Sequence, residues 1–283
     1  MRATVTLLGC AALLAGCDEA CASSELDVLA DSVWLELLGV PRCDPPAGDP
    51  LPRSSYLRSF DEERDAALEL AVVRGVSELT LYGLGDALRQ DPGAIAAFVT
   101  AAGARGVAVV APVSDLERVE LLTRYERDHP NARFAGWVTE HEFWNGPADE
   151  RSARFMELQA ILTAMRDAKN EGWVACYLGY PTAEEAKWIA ERVDRVYLSM
   201  SVSNPRDALR YGRGVRSHRA RHAYFAGRVP IWPIVYARGD RHMRPWLEHH
   251  TIEELDASLR GALHGELAGV ALFDFASTPG LAR

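Results

Sequence analysis

Residues 134–145 read FAGWVTEHEFWN and place two glutamates, Glu140 and Glu142, two positions apart behind an apolar run. Side chains alternate along a strand, so Gly136, Val138, Glu140 and Glu142 fall on one face, and Trp137, Thr139, His141 and Phe143 on the other. A carboxylate is costly in an apolar layer unless it is paired or hydrogen-bonded. Both glutamates are therefore expected to face an open, polar mouth, and a structural ion pair with an arginine such as Arg238 is the alternative. Two carboxyls so placed suit proton-transfer chemistry, in which one group gives a proton while the other acts as base or nucleophile. Neighbours at i and i+2 lie roughly 6.5–7 Å apart along a strand, a spacing from which the side chains can converge or diverge. It is compatible with either a retaining or an inverting separation of two catalytic carboxyls.

The surrounding elements must hold these groups. Short apolar runs recur at 33–40, 78–84, 107–113, 134–144, 173–180, 195–202, 229–237 and 269–276. Between them lie helical patterns: 61–74, 92–104, 116–127, 154–170, 183–192, 205–225 and 252–264. Asp91-Pro92, Pro181-Thr182 and Asn204-Pro205 are good helix starts. Eight strand–helix units in about 250 residues have the rhythm of a single (β/α)8 barrel, an α/β fold. The competitor is a doubly wound sheet, but no Gly-x-Gly-x-x-Gly turn follows the first strand. The longest irregular piece, 41–55 (PRCDPPAGDPLPRSS), comes directly after that strand. In such barrels chemistry sits at the C-terminal strand ends.

Those ends agree in chemical type. Trp34 and Glu36 lie on the first strand, Tyr82 on the second, and Trp144 beside the glutamates of the fourth. Tyr197, Ser199 and Ser201 share a face of the sixth strand. Trp232, Ile234, Tyr236 and Arg238 share one of the seventh, and Asp274 closes the eighth between Phe273 and Phe275. Flat rings, hydroxyls and carboxyls gathered at one mouth describe a sugar site. Two carboxyl groups are the minimum for most glycoside hydrolysis.

This pattern resembles family 18 glycoside hydrolases and neighbouring glycosidase barrels. That family carries Asp-Gly-x-Asp-x-Asp-x-Glu on its fourth strand. Glu142 falls on the last Glu, which the resemblance makes the general acid. Glu140 falls on the Asp two residues before it, and Gly136 matches the glycine. Ala135 and Val138 stand where the family has aspartates. The resemblance therefore implies an acid at Glu142 with Glu140 or Asp274 as partner, through a substrate-assisted or a conventional carboxylate pair. Substrate contacts are expected from Glu36, Tyr82, Trp144, Tyr197, Ser199, Ser201, Trp232, Tyr236 and Arg238.

The chain has 283 residues, 48% hydrophobic and 25% charged, with a net charge of −9. That composition is globular, and the negative balance has no electrostatic footprint for a nucleic-acid backbone. Residues 1–16 read as a secretory signal peptide. Leu14-Ala15-Gly16-Cys17 resembles a bacterial lipobox, which implies cleavage before Cys17 and diacylglycerol on its thiol. Residues 17–31 then form a lipid-anchored segment and 32–283 the barrel domain, held at the cell envelope. Cys21 and Cys43 could pair in such a compartment; Cys176 is expected as a buried small hydrophobe. His242, His249 and His250 lack a metal-binding spacing, so neither metal nor cofactor is expected. The arginines between Arg206 and Arg221 form a basic stretch whose default place is a solvated or salt-bridged face, with anionic lipid as the sharper option. Two functions remain open: a membrane-anchored glycosidase acting on a polysaccharide or envelope glycan, and a non-catalytic carbohydrate-binding or structural lipoprotein on the same barrel.

Overall fold

The structure, a computed structural model, describes residues 53–57, 60–73, 75–200, 205, 218–236, 243–263 and 267–273. Strands and helices alternate. In chain order they are β1 (Arg53–Leu57), α1 (Phe60–Val73), β2 (Val76–Leu81), α2 (Leu84–Gln90), α3 (Pro92–Ala104), β3 (Ala108–Val113), α4 (Leu116–Asp128) and β4 (Gly136–Thr139). There follow α5 (Arg151–Ala168), β5 (Trp173–Leu178), α6 (Ala183–Ala190), β6 (Arg195–Met200), α7 (His218–Phe225), β7 (Ile231–Tyr236), α8 (Arg244–Leu247), α9 (Ile252–Ala262) and β8 (Val270–Phe273). The strands pair in parallel in chain order, and β8 pairs back onto β1, so the sheet curls into a closed ring.

Local chemistry starts the helices. Asp91 accepts from the Ala94 N–H at 2.9 Å, with Pro92 in the first turn of α3. Thr182 and Glu185 form a reciprocal capping box at α6, and Thr251 and Glu254 form another at α9. Each such cap contributes about 1 kcal/mol by satisfying N–H groups that lack intrahelical partners.

Two boundaries differ from the sequence expectation. Residues 33–40, expected as the first strand, lie outside the described residues, and Arg53–Leu57 occupies the place between β8 and β2. That stretch, RSSYL, has no apolar alternation and trails a proline-rich run. Backbone pairing with two neighbours makes it a strand, and no side-chain pattern announces it. The fourth strand is also shorter than expected. It ends at Thr139, the Glu140 N–H adds one more bond to the Val113 carbonyl (3.1 Å), and the chain then turns.

Parity divides the sheet. Leu79, Val109, Trp137, Val174, Val196 and Leu272 face the helices. The opposite residues fill the barrel, with Val110, Val138, Ala175, Ile234 and Ala271 packed across its middle. The N-terminal floor is polar at its centre. Arg195 donates to Glu78 Oε1 at 2.6 Å, and Tyr197 donates to Oε2 at 3.0 Å. The Arg195 guanidinium lies 3.8 Å from the Trp173 ring centroid and 4.9 Å from that of Trp232. Gly136 permits this floor, because a Cβ there would overlap the Trp173 indole.

Candidate active site

The opposite, C-terminal end of the barrel gathers the reactive groups. Tyr82 follows β2 by one residue, and Glu140 follows β4 by one. The Tyr82 hydroxyl donates to Glu140 Oε1 at 2.9 Å. Across the mouth, the hydroxyls of Tyr177 on β5 and Tyr236 on β7 lie 2.9 Å apart, and Ser199 on β6 reaches Tyr236 at 3.2 Å. Phe273 at the end of β8 packs edge-on to Tyr82, with ring centroids 5.8 Å apart, and lies 5.4 Å from Tyr236. Trp144 stands at the rim, edge-on to Tyr177 at 5.4 Å.

Glu142 reaches this mouth by a turn. The Phe143 N–H bonds the His141 carbonyl, and the Asn145 N–H bonds the Glu142 carbonyl, each at 3.0 Å. The Asn145 side-chain amide donates to Glu142 Oε2. Helix α5 ties the turn down from behind: His141 Nε2 meets the Arg154 carbonyl at 3.1 Å, and the Arg154 guanidinium donates to the Asn145 carbonyl.

Burial governs the electrostatics of Glu140. Burial pushes the Glu140 carboxyl up to about 7, the Tyr82 hydrogen bond opposes this, and the charge of Glu142 adds to the rise. Desolvation is the larger effect because the charged form loses hydration inside the aromatic ring of the mouth. Burial likewise pushes the Tyr82, Tyr177 and Tyr236 phenols above the ordinary range, with the glutamate charges contributing in the same direction. They remain neutral donors at physiological pH. Glu140 therefore holds its proton to a higher pH than an exposed carboxyl does.

The expected residues fall into three groups. Glu140, Glu142, Tyr82, Trp144, Ser199 and Tyr236 are assembled around one mouth. Tyr197 and Trp232 are not part of it: they are 1% and 5% exposed and belong to the floor with Glu78 and Arg195. Their parity was correct but their depth was not, since an inward-facing residue early in a strand reaches the closed end. Cys17, Glu36, Ser201, Arg238 and Asp274 lie outside the described residues, as do Cys21, Cys43 and His242.

Tyr177, Phe273 and Asn145 enter the site without having been singled out. Tyr177 could have been found, since it shares parity with Trp173 and Ala175 at the end of an apolar run. Arg221 also departs from expectation. It is 1% exposed, and its guanidinium donates to the carbonyls of Gly179 and Ser199 at the ends of β5 and β6. Among the described residues no helix is long and apolar enough to cross a membrane.

No protein-family model matches the sequence, and no curated protein matches it. Solved structures match its fold. A β-galactosidase from the haloarchaeon Halorubrum lacusprofundi has a TM-score of 0.53 at 11% identity, covering 80% of this chain and 53% of its own. Bacteroides uniformis β-glucuronidase 2 has a TM-score of 0.53 at 11% identity, covering 80% and 30%. A candidate mandelate racemase/muconate lactonizing enzyme from Sorangium cellulosum has a TM-score of 0.50 at 14% identity, covering 80% and 54%. The chain spans about half the length of two of these proteins and under a third of the other. At such identities the likeness is one of fold, an α/β barrel that serves glycosidases and other enzymes alike.

Proposed function

We propose that this protein is a glycoside hydrolase acting on a polysaccharide or envelope glycan, with Glu140 and Glu142 as its carboxyl pair. One observation carries the reading: a carboxyl that keeps its proton near neutrality stands beside a second carboxyl, inside a ring of tyrosines, at the C-terminal mouth of a parallel barrel. Glu140 is the acid that protonates the glycosidic oxygen, and Glu142 is the base or nucleophile. Tyr82 orients Glu140, while Trp144, Tyr177, Ser199 and Tyr236 present ring faces and hydroxyls to the sugar. Asp274, Arg238 and Ser201, which follow β8, β7 and β6 closely in sequence, add substrate contacts in this reading. Leu14-Ala15-Gly16-Cys17 supports a lipid tether at Cys17 that holds the barrel at the cell envelope.

The test is a screen of polysaccharides and aryl glycosides with wild type, Glu140→Gln and Glu142→Gln side by side. Each amide keeps the size of the acid and removes its proton chemistry. Turnover should fall roughly a hundredfold or more, the usual contribution of acid–base catalysis, while glycan binding persists. Activity equal to wild type in either variant rejects that residue's role. Ala135 and Val138, in place of two aspartates of the resembled family, favour a second reading as a non-catalytic carbohydrate-binding protein. Binding without turnover in the wild type would select it.

A further inference from the structure

Gly179 follows β5 by one residue, and the Trp144 indole lies directly against it. A Cβ at position 179 would meet Trp144 Cζ2 at 3.0 Å and overlap Nε1 and Cε2. The backbone itself does not require glycine there, because its φ lies outside the left-handed region. The missing side chain serves the close approach of the ring. The ring has little freedom elsewhere: Phe143 packs edge-on to it at 5.2 Å and 82°, and Tyr177 at 5.4 Å and 67°.

The bed is fixed from beneath as well. The buried Arg221 guanidinium donates to the Gly179 carbonyl and, at 3.2 Å, to that of Ser199, and it lies 4.7 Å from the Tyr180 ring centroid. A charge-assisted bond to a backbone carbonyl in a buried setting is strong, so the strand end cannot easily yield to an added methyl group. The indole would have to tip instead. Trp144 is only partly buried, and it packs beside Tyr177, whose hydroxyl meets that of Tyr236 at the mouth.

We infer that Gly179 is a specificity-determining residue, whose missing side chain seats the Trp144 indole as a flat platform for a carbohydrate ring. The inference rests on the glycan reading of the mouth, and it adds the residue that sets the platform's position. Arg221 is a positioning residue that acts through the Gly179 carbonyl.

Gly179→Ala, Trp144→Phe and the double variant test it, with cello-, chito- and malto-oligosaccharides as probes. The Trp144 share of fluorescence is the difference between each protein and its Trp144→Phe counterpart. In Gly179→Ala that share should become more accessible to acrylamide. The affinity for the best-bound oligosaccharide should drop at least tenfold. Added to Trp144→Phe, the alanine should cause much less further loss of affinity or thermal stability, since the smaller ring leaves room for it. Unchanged quenching in Gly179→Ala, or unchanged affinity, overturns the proposal. If the wild type binds none of the three probes, the glycan reading fails with its platform, while the quenching comparison still decides whether Gly179 seats the indole.

Discussion

The Tyr82 hydroxyl donates to Glu140 Oε1 at 2.9 Å, joining the C-terminal ends of β2 and β4 across 58 positions of sequence. The two groups act on each other. The bond favours the ionised carboxyl and so opposes the desolvation that lifts Glu140 to about 7. The nearby carboxylate in turn adds to the rise of the phenol.

Tyr82→Phe removes the donor and leaves the burial. The Glu140 carboxyl should move above about 7, read by carbon-13 NMR titration of the side chain. If Glu140 is the acid, the alkaline limb of any pH–rate profile should move in the same direction. A downward move would contradict the balance of burial against hydrogen bonding. The lost bond should also cost about 1 kcal/mol of stability.

Glu140→Gln should reveal how stability depends on pH. With its carboxyl raised from 4.5 to about 7, the folded protein keeps a proton that the unfolded chain gives up. Wild-type stability therefore falls as pH rises from about 4.5 to about 7 through this group. Relative to its value near pH 4, the variant's advantage should grow across that window by up to roughly 3 kcal/mol and level off above it. Urea melts at pH 4, 6 and 8 check this. A pH-independent difference would show that burial does not hold the proton on Glu140.

Arg195→Ala leaves Glu78 without its cation in the floor and exposes the faces of Trp173 and Trp232. Breaking a buried pair from one side costs about 3–5 kcal/mol, which should appear as a large drop in the urea midpoint. Replacing both partners with apolar residues, Glu78→Leu with Arg195→Met, should recover part of the loss. Oligosaccharide affinity of the folded fraction should be unaffected, because the floor lies at the end away from the glutamates.

Cys17→Ser should release the protein from the membrane fraction or leave an unprocessed precursor, visible on fractionation and intact-mass analysis. A variant that remains membrane-bound and normally processed would remove the lipid tether from the proposal.

The residues themselves determined the alternation of strands and helices, the caps at Asp91 and Thr182, and the common side of Glu140, Tyr236 and Ser199. All of these follow from periods of 2.0 and 3.6 and from local hydrogen bonding, which a short window of sequence contains. Depth along the barrel is different. Tyr197 and Tyr236 both face inward, yet one bonds Glu78 in the floor and the other meets Tyr177 at the mouth. Parity assigns a face, whereas depth depends on where each strand begins and how it is staggered against its neighbours. The same limit explains Arg53–Leu57, which is a strand because β2 and β8 bond it, and Arg221, which is buried because two distant carbonyls accept from it. It explains the setting of Glu140 as well. Only the residues brought in from other strands withdraw water from Glu140 and push its carboxyl upward, against the opposing hydrogen bond from Tyr82.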